Sequence, residues 1–184
     1  LGANAQLVLD GVIPIVLSVS SNIQDGHYNY LDTIPIFVTF NENIIVTGTP
    51  QLTLETGYND AVINYLSGSE TNILTFNYIV SGGHSSTDLD YNSENPFSLN
   101  SGTIIDGAGN FANLSLPSSG GTNSLSSNSS IVIDTQPSSV FSVTSSATNG
   151  TYKIDDLIPI ILNFTENVNI SGIPQITLAT GSNS

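Results

Sequence analysis

The chain has no cysteine, no methionine and no tryptophan, and a single lysine is the only basic Lys or Arg side chain among its 184 residues. Without cysteine, disulfide bonds cannot stabilise the fold in any compartment. The 15 Asp and Glu residues give a formal net charge of −14. Such a chain repels phosphates, so it will not bind nucleic acid or an anionic membrane surface through charge. It can bind cations, and its stability must come from burial or from metal.

Long apolar runs are missing as well. No run approaches the ~20 residues of a membrane span, and no signal peptide is visible at Leu1, so we predict no membrane insertion in this segment. No segment keeps apolar residues at helical spacing over three turns. Charged residues make up only 9% of the chain while Asn, Ser, Thr and Gly are abundant. This balance is typical of secreted bacterial surface proteins.

Short segments of alternating polarity run along most of the chain. They are rich in β-branched and aromatic residues and are separated by Gly, Asn, Asp or Ser clusters, which is typical of strands and turns. The segments are "IPIFVTF", "PQLTLETG", "AVINYLS", "NILTFNYIV", "GTIID" and "SIVID". The pattern predicts an all-β protein built as an antiparallel, immunoglobulin-like β-sandwich. We interpret the Ser/Gly-rich residues 116–130 as a long loop within this unit.

The sequence repeats itself with a period of 124 residues. Residues 1–60 align without a gap with residues 125–184, and 25 of the 60 pairs are identical. Tandem repeats of a sandwich are therefore predicted. Residues 1–12 would be the terminal strand of a preceding repeat, residues 13–136 a complete repeat, and residues 137–184 the first half of the following one. Because half a repeat cannot close its own core, we expect the natural polypeptide to continue beyond residue 184, and to begin before residue 1.

Counting strand directions predicts which loops share an end of the sandwich. Antiparallel strands reverse at each turn, so successive strands place "NEN" and "DGAGN" at the same end. Glu42, Asp106 and Asn110 then lie together where Asp10 of the preceding repeat arrives. Three carboxylates and an amide oxygen form the kind of hard-oxygen site that Ca²⁺ prefers. We therefore predict a calcium site at this junction.

The same reasoning predicts further acidic positions at the other end of the repeat. The next junction would repeat the calcium site with Asp134 and Glu166. Additional ligands could come from four aspartates in the loops of that end: Asp25, Asp32, Asp88 and Asp90. The chain has one lysine to balance these carboxylates. Without a cation, their repulsion would push the ends of neighbouring repeats apart.

Each of these acidic residues also has a simpler interpretation. Asp106, with Gly107 and Gly109, can form a tight turn in which its side chain caps its own backbone, and Glu42 can be a solvated strand end. Asp88 and Asp90 alternate with a leucine, and we interpret them as solvent-facing charges that protect a sheet edge from unwanted pairing.

Neither zinc binding nor catalysis is supported. His27 and His84 lie in different loops without cysteine or a second nearby histidine. The chain has no Gly-x-Ser-x-Gly motif and no phosphate-binding loop. Tyr28, Tyr65 and Tyr78 are interpreted as core or sheet-face residues and not as a sugar-stacking platform. We therefore predict that the protein is not an enzyme.

Taken together, the motifs resemble a known family. The stretches that carry the resemblance are "DGHYNYLDTIPIFVTFNENIIVTGTPQLTLETG", "SGSETNILTFNYIV", "LDYNSENPFSLNSGTIIDGAGNFANLSLP" and "IVID". They are similar to the bacterial immunoglobulin-like, cadherin-like tandem repeats of giant surface proteins, which form stalks of biofilm-associated adhesins and surface filaments. In that family calcium at repeat junctions is frequent, which implies ligands at Asp10, Glu42, Asp106, Asn110, Asp134 and Glu166. "NEN" replaces the usual Ser-Glu-Pro, and "DTQPSS" has one proline where such linkers often have two.

Three functional hypotheses follow. The first is a calcium-stiffened spacer in the stalk of an extracellular, cell-surface adhesin or in a filament, with neighbouring repeats of the same chain as partners. The second is a binding module for carbohydrate or another surface partner. The third is a self-assembling filament or surface-layer subunit that contacts other copies through exposed strand edges. The recurrence of polar motifs as well as apolar ones favours the spacer, because a dedicated binding site need not recur in every unit.

Overall fold

The computed structural model describes residues 9–181, and the chain divides into two compact units between Gln136 and Pro137. We call them unit 1 and unit 2. In the described residues, the regular secondary structure of both units consists of strands, with one short helix in unit 1, and the predicted all-β class is confirmed. The prediction that residues 1–12 are the last strand of a preceding repeat falls largely on residues 1–8, which lie outside the described part.

Unit 1 contains eleven strands and the helix within its described residues. In chain order they are β1 Val16–Ser20, β2 Gly26–Tyr28, β3 Thr33–Thr47, β4 Gln51–Glu55, β5 Ala61–Ser67, β6 Thr71–Ile79, β7 Ser85–Ser86, β8 Asp90–Tyr91, β9 Phe97–Ser98, β10 Thr103–Ile105, α1 Leu125–Asn128 and β11 Ile131–Asp134. The larger sheet has the order β1-β3-β6-β5-β4-β8, with β10 also paired to β3 and β9 to β4. All of its strand pairs are antiparallel.

Strand β3 is the longest element and connects most of this sheet. Every second residue from Ile34 to Phe40 is fully buried, while the intervening residues are partly exposed, as expected for a strand with one face on a core. The sequence "NEN" was expected at a strand end, but β3 continues through it to Thr47. The register with β6 instead shifts between Thr39 and Ile44. This is a bulge within the strand.

The smaller sheet of unit 1 has the order β2-β11-β7. Strand β11 is antiparallel to β7 but parallel to β2, with Ile131 opposite Gly26 and Ile133 opposite Tyr28. Ile131 and Ile133 are buried, so the last strand of unit 1 contributes to its core.

One continuous cluster of buried apolar side chains forms the core of unit 1. Its members are Val19, Ile34, Ile36, Val38, Phe40, Ile44, Leu52, Leu54, Ala61, Ile63, Leu74, Phe76, Tyr78, Val80, Leu89, Tyr91, Ile104, Leu125, Ile131 and Ile133. Both sheets and the helix supply residues to it. Burial of this apolar surface is the main source of stability in a chain without disulfides.

The prediction for the environment of Asp90 is wrong. This residue was interpreted as a solvent-facing edge charge, but it is buried, and its carboxylate accepts hydrogen bonds from the Gly120 amide and the Ser126 hydroxyl, both at 2.8 Å. Asp88 is exposed. The Ser-rich segment is thus fixed to β8 by a buried carboxylate, and it contains the helix α1, capped by the Ser124 side chain. Helical periodicity could not reveal a helix of four residues.

Unit 2 contains β12 Val140–Ser145 and β13 Ile160–Phe164 among residues 137–181. The two strands are antiparallel, with Val140 opposite Phe164 and a register shift before Ser142. Unit 1 has the corresponding pair, Val16 opposite Phe40, with the same shift before Ser18.

Turn hydrogen bonds also correspond at positions 124 residues apart. The Ser21 hydroxyl donates to the Pro35 carbonyl at 2.6 Å, and the Ser145 hydroxyl donates to the Pro159 carbonyl at 2.7 Å. The Asn29 amide donates to Asp32, as the Lys153 amide does to Asp156. The two units therefore form the same local hydrogen bonds at these positions, including one where Asn29 corresponds to Lys153.

Candidate functional site

Three carboxylates of unit 1 converge on one point. One oxygen each of Asp10, Glu42 and Asp106 lies within 4.8 Å of the other two, and no other group of three His, Cys, Asp or Glu residues with this spacing occurs in residues 9–181. Asp10 is exposed, Glu42 is half-buried and Asp106 is only 2% exposed. We call this group the acidic cluster. Its members are up to 96 residues apart in sequence, so the fold brings them together.

Asp106 is held by the tight loop that follows β10. One of its carboxylate oxygens accepts hydrogen bonds from the amides of Ala108 and Asn110, both at 2.8 Å. The Asp106 amide donates to the Asn110 carbonyl at 3.0 Å, and Gly109 has φ of +95°, a conformation that favours glycine. The Asp-Gly turn considered as an alternative to metal binding is therefore present, and it positions the carboxylate within the acidic cluster.

Glu42 reaches the cluster from the bulge in β3. An ordinary strand presents successive side chains to opposite faces. The alternation of burial continues through the register shift between Thr39 and Ile44, since Phe40 and Ile44 are buried and Glu42, between them, is half-buried. Glu42 therefore keeps the more buried side of β3, and one of its oxygens lies within 4.8 Å of an Asp106 oxygen.

Asn110 lies beside the acidic cluster, and its contribution of a metal ligand stays a prediction. It was expected to supply an amide oxygen to a metal, but its amide nitrogen faces the cluster and donates to the second carboxylate oxygen of Asp106 at 2.7 Å. The same nitrogen lies 3.3 Å from the carbonyl oxygens of Asp10 and Val12. Asn110 thus connects the Asp106 carboxylate to residues 9–15, which we call the incoming segment.

Asn41 was not among the predicted site residues, yet it fixes the other end of the incoming segment. Its side-chain oxygen accepts a hydrogen bond from the backbone amide of Ile15 at 2.7 Å. Its backbone amide donates a hydrogen bond to the backbone carbonyl of Ile15 at 3.1 Å. Its side-chain nitrogen lies 3.4 Å from the Glu42 carboxylate. In the sequence, the only indication of this role is that Asn41 directly precedes Glu42. No recognisable motif marks an asparagine whose side chain binds the backbone of a distant segment.

The hydrogen bonds around Asp106 keep its carboxyl group ionised. Burial alone would raise the pKa of Asp106, but hydrogen bonds from the Asn110 side chain and from the amides of Asn110, Ala108 and Gly109 outweigh it and hold the pKa below the ordinary value of 3.8. Lys153, the only Lys or Arg of the chain, belongs to unit 2. Unit 1 therefore has no Lys or Arg to neutralise its acidic cluster.

The lowered pKa of Asp106 predicts acid sensitivity. An Asp whose native pKa lies below its unfolded value stabilises the fold above the unfolded pKa, and this stabilisation is lost as the pH falls through the native pKa. In EDTA, we expect Asp106→Asn to lower stability at pH 7 and to reduce the loss of stability between about pH 5 and pH 2. Urea unfolding across this range tests the prediction. Parallel pH profiles for the variant and the original protein would contradict it.

The acidic cluster does not include the other two predicted carboxylate ligands, Asp134 and Glu166. Asp134, at the end of β11 in unit 1, accepts a hydrogen bond from the Gln136 amide at 3.0 Å. Glu166 follows β13 in unit 2 and is exposed. Their participation in a second calcium site stays a prediction. Asp25 and Asp32 each accept a hydrogen bond from a backbone amide, of Ser130 and Asn29 respectively.

His84 pairs with a buried tyrosine. The Tyr78 hydroxyl lies 2.8 Å from Nδ1 of His84, and the two rings stack with centroids 5.8 Å apart. Burial raises the pKa of Tyr78 to about 12 and lowers the pKa of His84. Both groups are therefore neutral at pH 7, as expected for a packing contact at the edge of the core.

No family model, no curated protein and no solved structure matches this chain. In the described residues, no helix is both long enough and apolar enough to cross a membrane.

Proposed function

We propose that this protein is a structural segment of a secreted bacterial surface protein, in which tandem immunoglobulin-like β-sandwich repeats with a period of 124 residues act as a calcium-stiffened spacer. The spacer would be part of an extracellular adhesin stalk or filament at the cell surface. Its partners would be the neighbouring repeats of the same chain. The acidic cluster is the observation that carries the proposal.

The donor set of the cluster fits Ca²⁺. This ion takes oxygen ligands, and carboxylates are prominent among them. Asp10, Glu42 and Asp106 would supply carboxylate oxygens, while Asn110 would orient Asp106 through its hydrogen bond. A bound cation would neutralise repulsion between acids for which unit 1 has no Lys or Arg. The donors therefore suit a hard divalent cation better than a soft metal.

The placement of Asp10 connects such a site to stiffness. Asp10 belongs to the incoming segment, whereas Glu42 and Asp106 belong to the body of unit 1. A cation held by all three would fix the incoming segment in one orientation, in addition to the hydrogen bonds from Asn110 and Asn41. In a tandem array the residues before a repeat connect it to the previous one. Fixing them would convert a flexible joint into a stiff one.

The internal repeat also supports a spacer. The acidic positions recur as Asp134 and Glu166, 124 residues after Asp10 and Glu42. Local hydrogen bonds recur at the same offset, as in the Ser21–Pro35 and Ser145–Pro159 pairs. Repetition of one structural unit, including its polar residues, is expected in a protein whose function depends on the length of the chain of repeats.

Calcium is expected to raise the thermal stability of this chain. Scanning calorimetry in EDTA and then in millimolar Ca²⁺ should show a rise in Tm of about 10 °C if the ion is present at 100 times its Kd, which corresponds to about 2.7 kcal/mol. Glu42→Gln removes one ligand with little change in shape, so it should abolish most of the rise. Glu94→Gln, which makes the same chemical change at an exposed position, is the matched control.

Two results would contradict the proposal. One is an unchanged Tm on addition of calcium, which would mean that the carboxylates of the cluster have only local roles, such as the turn that Asp106 forms. The other is an equal rise for Glu42→Gln and Glu94→Gln, which would indicate nonspecific screening of the net charge.

A further inference from the structure

The turn that joins β6 to β7 in unit 1 carries a histidine against the core. The turn covers residues 81–84 and is closed by a hydrogen bond from the His84 amide to the Ser81 carbonyl at 3.1 Å. We call it the histidine turn. The half-buried His84 ring stacks on Tyr78, which is fully buried, with an angle of 19° between the ring planes. The ring of His84 therefore connects the turn to the core.

Two hydrogen-bond donors converge on one nitrogen of the His84 ring. The Ser81 backbone amide donates to Nδ1 at 3.4 Å, and the Tyr78 hydroxyl lies 2.8 Å from the same atom. Because a backbone amide can only donate, Nδ1 is the accepting nitrogen and the ring proton is on Nε2. Within residues 9–181, the Tyr78 hydroxyl has no other hydrogen-bond partner. The turn is therefore arranged around a neutral His84.

The histidine turn also holds the chain directly after β11. The Thr135 hydroxyl donates to the His84 carbonyl at 2.9 Å and accepts a hydrogen bond from the Gly83 amide at 3.0 Å. Gly83 has φ of +89°, a conformation that favours glycine. Strand β7 follows the turn and pairs with β11, with Ser85 opposite Asp134. The backbone of one turn thus binds the end of β11, while its histidine binds the core.

We propose that the histidine turn is an acid-sensitive clasp on the end of β11, and that protonation of His84 opens it. A proton taken from solvent onto Nδ1 removes the acceptor of the Ser81 amide and turns two N–H groups towards each other. The Tyr78 hydroxyl then accepts from the ring, and its own proton loses its acceptor in the protein. When the turn moves, Thr135 loses its hydrogen bonds to Gly83 and His84. The inference does not depend on the acidic cluster, which contains none of these residues.

The surroundings of His84 favour its neutral form in the closed turn. Burial lowers the pKa of His84 and raises the pKa of Tyr78 to about 12, so Tyr78 stays a neutral donor while histidine titrates. Unit 1 has no Lys or Arg. The elements that meet the turn carry four carboxylates: Asp32 before β3, Glu55 at the end of β4, Asp88 after β7 and Asp134 at the end of β11. The pKa of His84 is lowered by burial although these acids are present.

The direction of this shift gives the sign of the pH effect. A histidine whose native pKa lies below its unfolded value of about 6.5 binds its proton more weakly in the closed turn than in the open one. The closed turn is therefore fully favoured above this value and loses stability as the pH falls through it. The window lies above the range of about pH 5 to pH 2 expected for Asp106, so the two effects are separable.

The test follows the whole chain by NMR in EDTA between about pH 7.5 and pH 5. The ring signals of His84 give the midpoint of its titration. Hydrogen exchange, corrected for the intrinsic rate at each pH, gives the protection factor of the Gly83 amide. This protection should fall below about pH 6.5, by up to about tenfold for each unit by which the closed turn lowers the pKa of His84. The two measurements therefore check each other.

Three variants separate the clasp from a general effect of acid. His84→Gln removes the titrating ring, so the fall in Gly83 protection should be absent. His27→Gln makes the same change at an exposed position of β2 and should leave the fall unchanged. Tyr78→Phe removes a donor to the neutral ring, so the midpoint of the His84 titration should move to higher pH.

The proposal is overturned by any of three results. The first is constant protection of Gly83 while His84 titrates, a comparison that needs no variant. The second is an equal fall in protection for His84→Gln and the original protein. The third is a loss of protection that begins only below about pH 5, where carboxylates titrate, which would assign the acid response to the aspartates and glutamates.

Discussion

Phe40→Ala is expected to lower the free energy of unfolding of unit 1 by about 3–5 kcal/mol. Phe40 is fully buried in β3, where its neighbours include β1 on one side. Removing the ring loses the free energy gained by burying its apolar surface. It also leaves a cavity that a close-packed core fills only in part. Since small domains are stable by only about 5–15 kcal/mol, such a loss is a large fraction of the total.

Phe164→Ala provides the matched control, because Phe164 lies 124 residues after Phe40 and is opposite Val140 in β12, as Phe40 is opposite Val16 in β1. It is half-buried and lines an open cavity of unit 2, so its removal creates little new empty space. Calorimetry of the whole chain measures both variants, because unfolding of each unit contributes to the absorbed heat. Tyr78 and Tyr91 are buried in unit 1, so their near-ultraviolet circular dichroism shows which transition belongs to that unit. Equal losses for the two variants would show that residue type, and not the environment described for each unit, determines the cost.

Gly68→Ala is the second substitution with a large expected effect. Gly68 lies between β5 and β6 with φ of +116°, and an added Cβ would be 2.0 Å from the carbonyl oxygen of Ile73. A residue with a side chain in this conformation costs about 1–3 kcal/mol, and the clash with backbone adds to that figure. The Gly68 carbonyl also accepts hydrogen bonds from Thr71, from its amide at 3.1 Å and its hydroxyl at 2.7 Å. A shift of Gly68 would therefore disturb the start of β6.

Gly82→Ala separates this effect from the general effect of replacing glycine. An added Cβ at Gly82 has no atom within 4 Å, and its φ is not in the left-handed region. We expect a change of less than about 0.5 kcal/mol there, against a loss of at least about 3 kcal/mol for Gly68→Ala. Calorimetry of both variants measures the difference. A Gly68→Ala protein as stable as Gly82→Ala would show that the loop between β5 and β6 adapts without cost.

The strands were predictable because their apolar residues alternate. Ile34, Ile36 and Val38 follow this rule, and each is buried on the same face of β3. Strand directions also indicated that Asp10, Glu42 and Asp106 belong at one end, and the structure places their oxygens within 4.8 Å of one another. The direction of each strand follows from the number of turns before it, so strand directions can be predicted without knowledge of side-chain packing.

The environment of single polar residues was less predictable. Asp90 was assigned to the surface because its segment alternates, but its partners Gly120 and Ser126 are 30 and 36 residues away in a segment without periodicity. The orientation of Asn110 depends on which carbonyl and carboxylate oxygens face it. Such contacts are determined by loops, whose conformation is not encoded in a repeating pattern of polarity.

The parallel pairing of β2 with β11 has a consequence for how these two strands would respond to mechanical tension. In a parallel pair, the N-terminal end of one strand and the C-terminal end of the other lie at opposite ends. Force that reaches β2 from its N-terminal side and β11 from its C-terminal side therefore shears the pair. Shear loads the three register pairs from Gly26–Ile131 to Tyr28–Ile133 together, whereas peeling would break them one after another. We therefore expect the β2–β11 pair to resist force applied between its two opposite ends.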